Sequence, residues 1–159
     1  MAWYDENNAL CSGGTAIESG HYTTYGCANA FNGNIEDVWA SQSFQNVALA
    51  HWVGYQFARA YRLKEIKYMV KYINEGSSHL TSNSALTLQG SNDGTSWTTV
   101  KAHTGLSTTD RDIVTLTVDN EVAYNRYRLA NTNANSGMYM GFREVEMFPI
   151  VEDNYIIET

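Results

Sequence analysis

Short stretches of the chain alternate between apolar and polar residues with a period of two. Residues 51–57, HWVGYQF, place apolar side chains at every second position, and residues 65–72, EIKYMVKY, do the same. Because successive side chains of a β-strand point to opposite faces, this alternation indicates strands with one buried face. The pattern recurs in the segments SALTLQGS, DIVTLTV, NRYRLAN and REVEMF. The predicted core positions are Val53, Tyr55, Phe57, Ile66, Tyr68, Val70, Leu86, Leu88, Val114, Leu116, Val118, Tyr127, Leu129, Val145 and Met147.

The segments between these strands are rich in Gly, Ser, Asn and Thr, which favour turns. Asp93 and Gly94 form a strong tight-turn signal between two apolar strands. No long segment keeps an apolar period of 3.6 residues, so α-helices are not predicted. These patterns predict an all-β fold, a single-domain sandwich or barrel of antiparallel strands.

The composition agrees with this fold and excludes several kinds of partner. A chain of 159 residues has the usual size of one domain, and aromatic residues make up 13% of it. The formal net charge is -7, which disfavours nucleic acid and anionic lipid surfaces because both are bound mainly through clustered Lys and Arg. No apolar run approaches the ~20 residues of a membrane span, so membrane insertion is not predicted.

The two ends and the two cysteines leave alternatives open. The first ten residues lack the basic and apolar pattern of a secretory signal peptide. Cys11 and Cys27 are interpreted either as buried or free thiols, or as one disulfide bridge. Two cysteines are too few to predict a disulfide framework.

The stretch NAFNGNIEDVWAS, residues 29–41, is rich in side-chain oxygens before Trp39. It contains the side chains of Asn32, Asn34, Glu36 and Asp37. One interpretation is an ordinary polar turn, since Asn and Asp side chains bond their own backbone and Gly adopts left-handed positions. The other is a site for a hard cation such as calcium, which takes about 6 to 8 oxygen ligands.

The order of five segments resembles a known family. AFNGN…VWAS, HWVGYQF, LQGSNDGTSWTTV, YNRYRL and FREVEMF follow one another as in the discoidin family, also called the coagulation-factor C-type domain or family 32 carbohydrate-binding module. The resemblance implies a jelly-roll β-sandwich over residues 1–150, with residues 151–159 as a C-terminal extension. It also implies that loops at one end bind a ligand, often a glycan, without catalysis.

Many sugar-binding members of that family hold a structural calcium ion. Carried over by position, the resemblance implies ligands from the Asn29 carbonyl, the Asn32 side chain, the Asn34 carbonyl, an Asp37 oxygen, the Arg143 carbonyl and the Glu144 carboxylate. Asn32 stands where the family prefers Asp, and Asp37 stands where it often has Thr. One negative charge is lost and one is restored, so calcium remains the expected cofactor.

The family's sugar-binding residues match this chain less well. Galactose-binding members often place His directly after the tryptophan of the first motif, whereas here Ala40 follows Trp39, so galactose is not the preferred sugar. Rings and polar side chains on the corresponding loops are the alternative ligand-binding residues. They are Gln42, Phe44, Lys71, Tyr72, Asn74, His79 and Tyr139. The opposing interpretation is that the rings pack in the core and that His79 is a solvated loop histidine.

Two other classes of protein compete with a glycan-binding module. An enzyme lacks support because the common metal-protease, acyl-transfer and phosphate-binding motifs are absent, and calcium ligation by Glu144 with solvent exposure of Glu146 explains that carboxylate pair. An assembly or adhesion protein is the second alternative, with the extension after Pro149 packing on a protein partner or on another copy of the chain. An extracellular, cell-surface or virion-associated location is expected.

Overall fold

A computed structural model describes residues 11–43, 47–71, 74–75, 78–79, 85–104, 107, 109–132 and 139–150, with 74–75 and 78–79 through their backbone alone. No helix among these residues is long and apolar enough to cross a membrane. A short 3-10 helix occupies Cys27–Ala30. The strands are β1 (Thr15–Glu18), β2 (Trp39–Ala40), β3 (Trp52–Tyr61), β4 (Leu63–Val70), β5 (Asn74–Glu75), β6 (Ser78–His79), β7 (Leu86–Ser91), β8 (Thr98–His103), β9 (Ile113–Thr117), β10 (Tyr124–Asn131) and β11 (Gly141–Pro149).

The strands form two main antiparallel sheets. The five-stranded sheet has the order β1-β3-β10-β7-β8, and the four-stranded sheet has the order β2-β11-β4-β9. A two-stranded ribbon pairs β5 with β6. The all-β, single-domain jelly-roll sandwich predicted from the sequence is confirmed.

The core lies between the two sheets and uses the residues that the period-two pattern predicts. Thirteen of the predicted positions are buried, and Val114 and Val118 are half-buried against the same cluster. The thirteen are Val53, Tyr55, Phe57, Ile66, Tyr68, Val70, Leu86, Leu88, Leu116, Tyr127, Leu129, Val145 and Met147. The turn predicted at Asp93–Gly94 lies between β7 and β8, and Gly94 has a φ of +78°.

Several elements differ from the sequence-based predictions. β1, β2 and β8 were not predicted as strands, because two are very short and β8 has mostly exposed residues. His79, expected in a loop, lies in β6 opposite Asn74. Cys11 and Cys27 are free thiols, which answers the question of a bridge, and burial raises the pKa of each. The extension at residues 151–159 lies outside the described residues.

Four connecting segments meet at one end of the four-stranded sheet. Ala40 of β2 pairs with Gly141 at the start of β11, and Phe142 pairs with Val70 at the end of β4. Because β9 runs antiparallel to β4, its first residue, Ile113, lies at this same end of the sheet. The residues after β2 and β4 and those before β11 and β9 therefore share one end of the sandwich.

Candidate functional site

Three partly exposed tyrosine rings form a cluster at this end of the sandwich. The rings of Tyr22 and Tyr25 are nearly parallel, with centroids 6.5 Å apart and an interplanar angle of 12°. The ring of Tyr139 lies 5.3 Å from that of Tyr22, at 57°. Tyr22 and Tyr25 are 45% and 42% exposed, so part of each ring is accessible to a ligand. We call Tyr22, Tyr25 and Tyr139 the tyrosine cluster.

Backbone hydrogen bonds fix the segment that carries the first two rings. The amide of Tyr22 donates to the carbonyl of Ala40 at 3.0 Å, and the amide of Ala40 donates to the carbonyl of Tyr25 at 3.2 Å. His21 forms an isolated antiparallel bridge with Ser41. These contacts extend β2 sideways into the 19–26 segment, so the two rings sit on a framework rather than on a free loop.

The hydroxyl of Ser41 connects this segment to the third ring. The amide of Ser41 donates to the carbonyl of Met140 at 2.8 Å, and the amide of Met140 donates to the Ser41 Oγ at 2.9 Å. Ser41 is fully buried, and Met140 is 4% exposed. Since Tyr139 precedes Met140, this reciprocal pair sets the position of its backbone beside β2.

The Glu18 carboxylate contacts Trp39 and His21, the residues that precede Ala40 and Tyr22. One oxygen accepts a hydrogen bond from the indole N–H of buried Trp39 at 2.8 Å, and the other lies 2.5 Å from Nδ1 of His21. Gln42 packs against Gly20, where an added Cβ would lie 2.7 Å from the Gln42 Oε1 atom. Gly20 has a φ of +137°, a backbone conformation that favours glycine. Gln42 therefore lies beside the segment that carries Tyr22.

A group of charged side chains occupies the other half of the same end. Arg143 donates to both oxygens of Asp110, from Nε at 3.2 Å and from Nη2 at 2.8 Å. The Nη2 atom of Arg111 donates to both oxygens of Glu36, at 2.9 and 2.7 Å. The ammonium of Lys71 lies 3.8 Å from Asp110. Lys71 and Tyr139, both predicted ligand-binding residues, thus lie in two different surroundings.

The oxygen-rich stretch folds into a turn whose polar groups bond one another. The Asn34 amide donates to the Asn32 Oδ1 at 2.8 Å, and the Asn32 Nδ2 donates to Asp37 Oδ2 at 2.7 Å. The Asp37 amide donates to the Asn34 carbonyl at 3.0 Å, and Gly33 has a φ of +76°. The Asn29 side chain donates to the Val38 carbonyl at 2.9 Å. This is the polar-turn conformation expected for Asn and Gly.

Glu144 brings β11 against this turn. Its carboxylate accepts a hydrogen bond from the Gly33 amide at 3.1 Å, and Glu144 is only 2% exposed. Burial raises the pKa of Glu144 to about 8, the charges of Glu146 and Asp37 act in the same direction, and the Gly33 hydrogen bond opposes them. Arg143 falls at a break in the β11–β4 register, and its Nη1 donates to the Ile35 carbonyl at 2.9 Å.

The donor set fits a hard cation in its chemistry. Two carboxylates, those of Glu144 and Asp37, influence each other through space, and a divalent cation beside them would offset their repulsion and the burial of Glu144. Within the described ranges, no three His, Cys, Asp or Glu side chains are grouped to hold a metal. The remaining ligands would therefore have to be the amide and carbonyl oxygens that the sequence indicates, which calcium accepts.

The second carboxylate of β11 differs from its expected environment. Glu146 was expected to be exposed to solvent, but it is only 4% exposed. It therefore lies beneath the surface, as Glu144 does, and the Gly33 amide already binds the Glu144 carboxylate. A glycosidase pair needs both carboxyl groups open to substrate, so this arrangement gives no support to hydrolysis.

The remaining predicted ligand-binding residues cannot be placed as side chains. Phe44 and Tyr72 lie outside the described residues, and Asn74 and His79 are described through their backbone in the β5–β6 ribbon. The sequence reasoning missed Tyr22 and Tyr25. The available signal was HYTTYG, in which two aromatic residues precede the oxygen-rich stretch and are bounded by Gly20 and Gly26.

The comparisons with known proteins agree with this architecture. The sequence model of the F5/8 type C domain matches residues 14–145 of the chain. No curated protein sequence matches it. Among solved structures, the first carbohydrate-binding module of a family 31 glycoside hydrolase from Clostridium perfringens has a TM-score of 0.69 at 13% identity, covering 91% of this chain and 99% of that one.

Two further structures show a similar likeness. The family 32 module of NanJ from Clostridium perfringens, solved in complex with galactose, has a TM-score of 0.67 at 17% identity and covers 89% of this chain and 98% of its own. A chitosan-binding module of a chitosanase/glucanase from Paenibacillus sp. IK-5 has a TM-score of 0.68 at 22% identity, with 89% and 98% covered. At such identities, the likeness concerns the fold.

Proposed function

Because the chain belongs to the F5/8 type C domain family, we propose that it is a non-catalytic module that binds a glycan at the tyrosine cluster. The observation that carries the proposal is the exposed pair Tyr22 and Tyr25, packed beside Tyr139 at the end of the four-stranded sheet. Binding of galactose by the NanJ module and of GalNAc-β-1,3-galactose by another Clostridium perfringens module of this fold supports the ligand class.

The chemistry of the cluster suits a sugar. Aromatic faces supply apolar area for the C–H face of a sugar ring, and polar groups around them fix its orientation. Gln42 lies beside the cluster as a neutral amide that both donates and accepts hydrogen bonds. Each hydrogen bond that replaces one to water gains about 1 kcal/mol, so dissociation constants of roughly micromolar to millimolar are expected.

The proposal also includes further glycan contacts from four residues whose side chains are not described. Phe44, Tyr72, Asn74 and His79 belong to the segments that follow β2 and β4 in the chain. Galactose remains a poor choice of sugar because Ala40 stands where galactose-binding relatives often have His. An extracellular or cell-surface location, where glycans are presented, is part of the same proposal.

The proposal includes a structural calcium ion in the oxygen-rich turn. The Glu144 carboxylate and the Asp37 side chain would supply its charged ligands, and oxygens of Asn29, Asn32, Asn34 and Arg143 the neutral ones. Bound calcium would hold β11 against the turn at residues 29–37. The ion would have no part in catalysis, and its role would be to keep this end of the sandwich in one conformation.

A glycan array tests the proposal. The labelled protein, in buffers with calcium and with a chelator, should bind a restricted set of glycans with micromolar to millimolar affinity in follow-up titrations. Binding that persists when Tyr22 and Tyr25 are both replaced by Ala would mean that the glycan site lies elsewhere. A folded, calcium-loaded protein that binds nothing at millimolar glycan would overturn the function.

A further inference from the structure

Among the described side chains, the charged group in the other half of this end contains three cations, Lys71, Arg111 and Arg143, and two carboxylates, Asp110 and Glu36. Arg143 already binds both oxygens of Asp110, and Arg111 binds both oxygens of Glu36. Lys71 shares Asp110 with Arg143, through a longer contact of 3.8 Å. The group therefore consists of two neutral pairs and a surplus ammonium, in a chain whose formal net charge is -7.

Lys71 is held in a setting that disfavours its positive charge. Its side chain is only 16% exposed, whereas that of Arg111 is 42% exposed. Burial lowers the pKa of Lys71, and the positive charges of Arg143 and Arg111 act in the same direction, whereas Asp110 and Glu36 act against it. A partly buried ammonium is stabilised by an anion that pairs with it, because the opposite charge offsets the cost of burial.

The Lys71 ammonium and the tyrosine cluster lie at the same end of the four-stranded sheet. The four strands at this end lie in the order β2-β11-β4-β9. Neighbouring strands lie about 4.8 Å apart, so the distance across this end of the sheet, from Gln42 after β2 to Arg111 before β9, is roughly 14 Å. Lys71 follows β4, which is the direct neighbour of β11, the strand that Tyr139 and Met140 precede. This length accommodates an oligosaccharide rather than a single sugar.

We propose that the glycan is acidic and that an anionic group on it, a carboxylate or a sulfate, binds the Lys71 ammonium while a neighbouring sugar stacks on the tyrosine cluster. The inference rests on the glycan-binding function proposed above and adds the charge and orientation of the ligand. Arg111 lies in the same half of the site, where Glu36 neutralises it. The Glu36 and Asp110 carboxylates keep both arginines in place without cancelling Lys71.

The test compares three classes of oligosaccharide on one array, namely neutral, uronate-containing and sulfated. The proteins are the wild type, Lys71→Gln, Lys71→Arg and a matched control, Lys64→Gln, which removes an exposed lysine at the opposite end of β4. Melting curves confirm that each is folded. The wild type should bind acidic oligosaccharides, and Lys71→Gln should weaken this binding roughly tenfold or more in titration, because a hydrogen bond to a charged group is lost.

The remaining outcomes separate the inference from the function beneath it. Lys64→Gln should bind as the wild type does, and Lys71→Arg should keep most of the acidic preference. Selective binding of neutral glycans, or acidic binding that Lys71→Gln leaves unchanged, would overturn the inference while the glycan-binding function stands. Binding to no class of glycan would overturn both. Loss with uronates but not with sulfates, or the reverse, would identify the anionic group.

Discussion

The rings of Tyr22 and Tyr139 lie 5.3 Å apart, although Tyr22 precedes β2 and Tyr139 lies two residues before β11, the last strand. Tyr22 is held through the carbonyl of Ala40, and Tyr139 is held through the Ser41–Met140 pair. The two residues thus meet because β2 and β11 are neighbours. The contact of Tyr139 with Tyr22 is a product of sheet topology and not of proximity in sequence.

Replacing Tyr139 with Ala should weaken glycan binding about tenfold or more, because it removes roughly 1.5 kcal/mol or more of apolar contact from the proposed site. Titration of the strongest array glycan measures this loss. A ring that served only the core would instead lower the free energy of unfolding by about 3 kcal/mol or more. An unchanged dissociation constant with a lower melting temperature would therefore remove Tyr139 from the site.

Calcium should stabilise the fold if the oxygen-rich turn binds it. At a hundred times the dissociation constant, a ligand of the native state adds about 2.7 kcal/mol, or roughly 5–10 °C in melting temperature for a chain of this size. Chelator should reverse the shift. The shift should vanish in Glu144→Gln and persist in Glu121→Gln, which changes an exposed carboxylate elsewhere. Identical melting curves with calcium and with chelator, and no metal by elemental analysis, would contradict the site.

A stack on the outer face of the five-stranded sheet should matter for stability and not for binding. The Arg128 guanidinium lies 4.1 Å from the ring centroid of Trp97 and 4.9 Å from that of Trp52, and its Nε donates to Gln89 at 2.9 Å. Burial lowers the pKa of Arg128 to about 10. Trp97→Ala should lower the free energy of unfolding by about 2 kcal/mol in a denaturant titration.

The Trp97→Phe variant is the matched control for the stack, since it keeps an aromatic face and should lose less stability. Glycan titration with Trp97→Ala should give the wild-type dissociation constant. A loss of glycan binding by a variant that is still folded would mean that this face, and not the tyrosine cluster alone, contributes to the site.

Acidification should destabilise the protein partly through His103. Burial lowers the pKa of His103, and the charge of Lys101 adds to this. Its ring packs edge-on against Tyr68 at 6.2 Å. The unfolded histidine binds a proton more readily than the folded one. The contribution of neutral His103 to the free energy of unfolding is therefore present above the ordinary histidine pKa of about 6.5 and is lost as the pH falls below it.

The His103→Gln variant isolates this effect. The difference in unfolding free energy between the wild type and the variant, measured by denaturant titration from pH 8 to pH 5, should shrink or change sign as the pH falls. A difference that stays constant over this range would show that His103 does not titrate between the folded and unfolded states.

Much of the fold was accessible from the sequence because burial imposes a period of two on each inner strand. Val53, Tyr55 and Phe57 alternate as a half-buried strand requires, and the structure buries all three. β1 and β8 carry no such pattern, since sheet-edge strands with exposed residues need few apolar side chains. Their pairing is set by the strands beside them.

The candidate site was accessible only in part. The oxygen-rich turn could be recognised because its residues are neighbours in sequence, but its contact with Glu144 through Gly33 joins residues 111 positions apart. Tyr22 and Tyr25 could not be assigned, because exposed and buried tyrosines look alike in sequence. Likewise, the surplus charge at Lys71 depends on which carboxylates Arg143 and Arg111 bind, and only the folded arrangement determines that.

The central claim is that the tyrosine cluster binds a glycan through its ring faces. Its most direct test is a calorimetric titration of one array-selected glycan into the wild type, Tyr22→Phe and Tyr22→Ala, with melting curves for all three. The account predicts near wild-type affinity for Tyr22→Phe, roughly tenfold or greater weakening for Tyr22→Ala, and little change in stability because Tyr22 is 45% exposed. Equal affinities for all three proteins would contradict it.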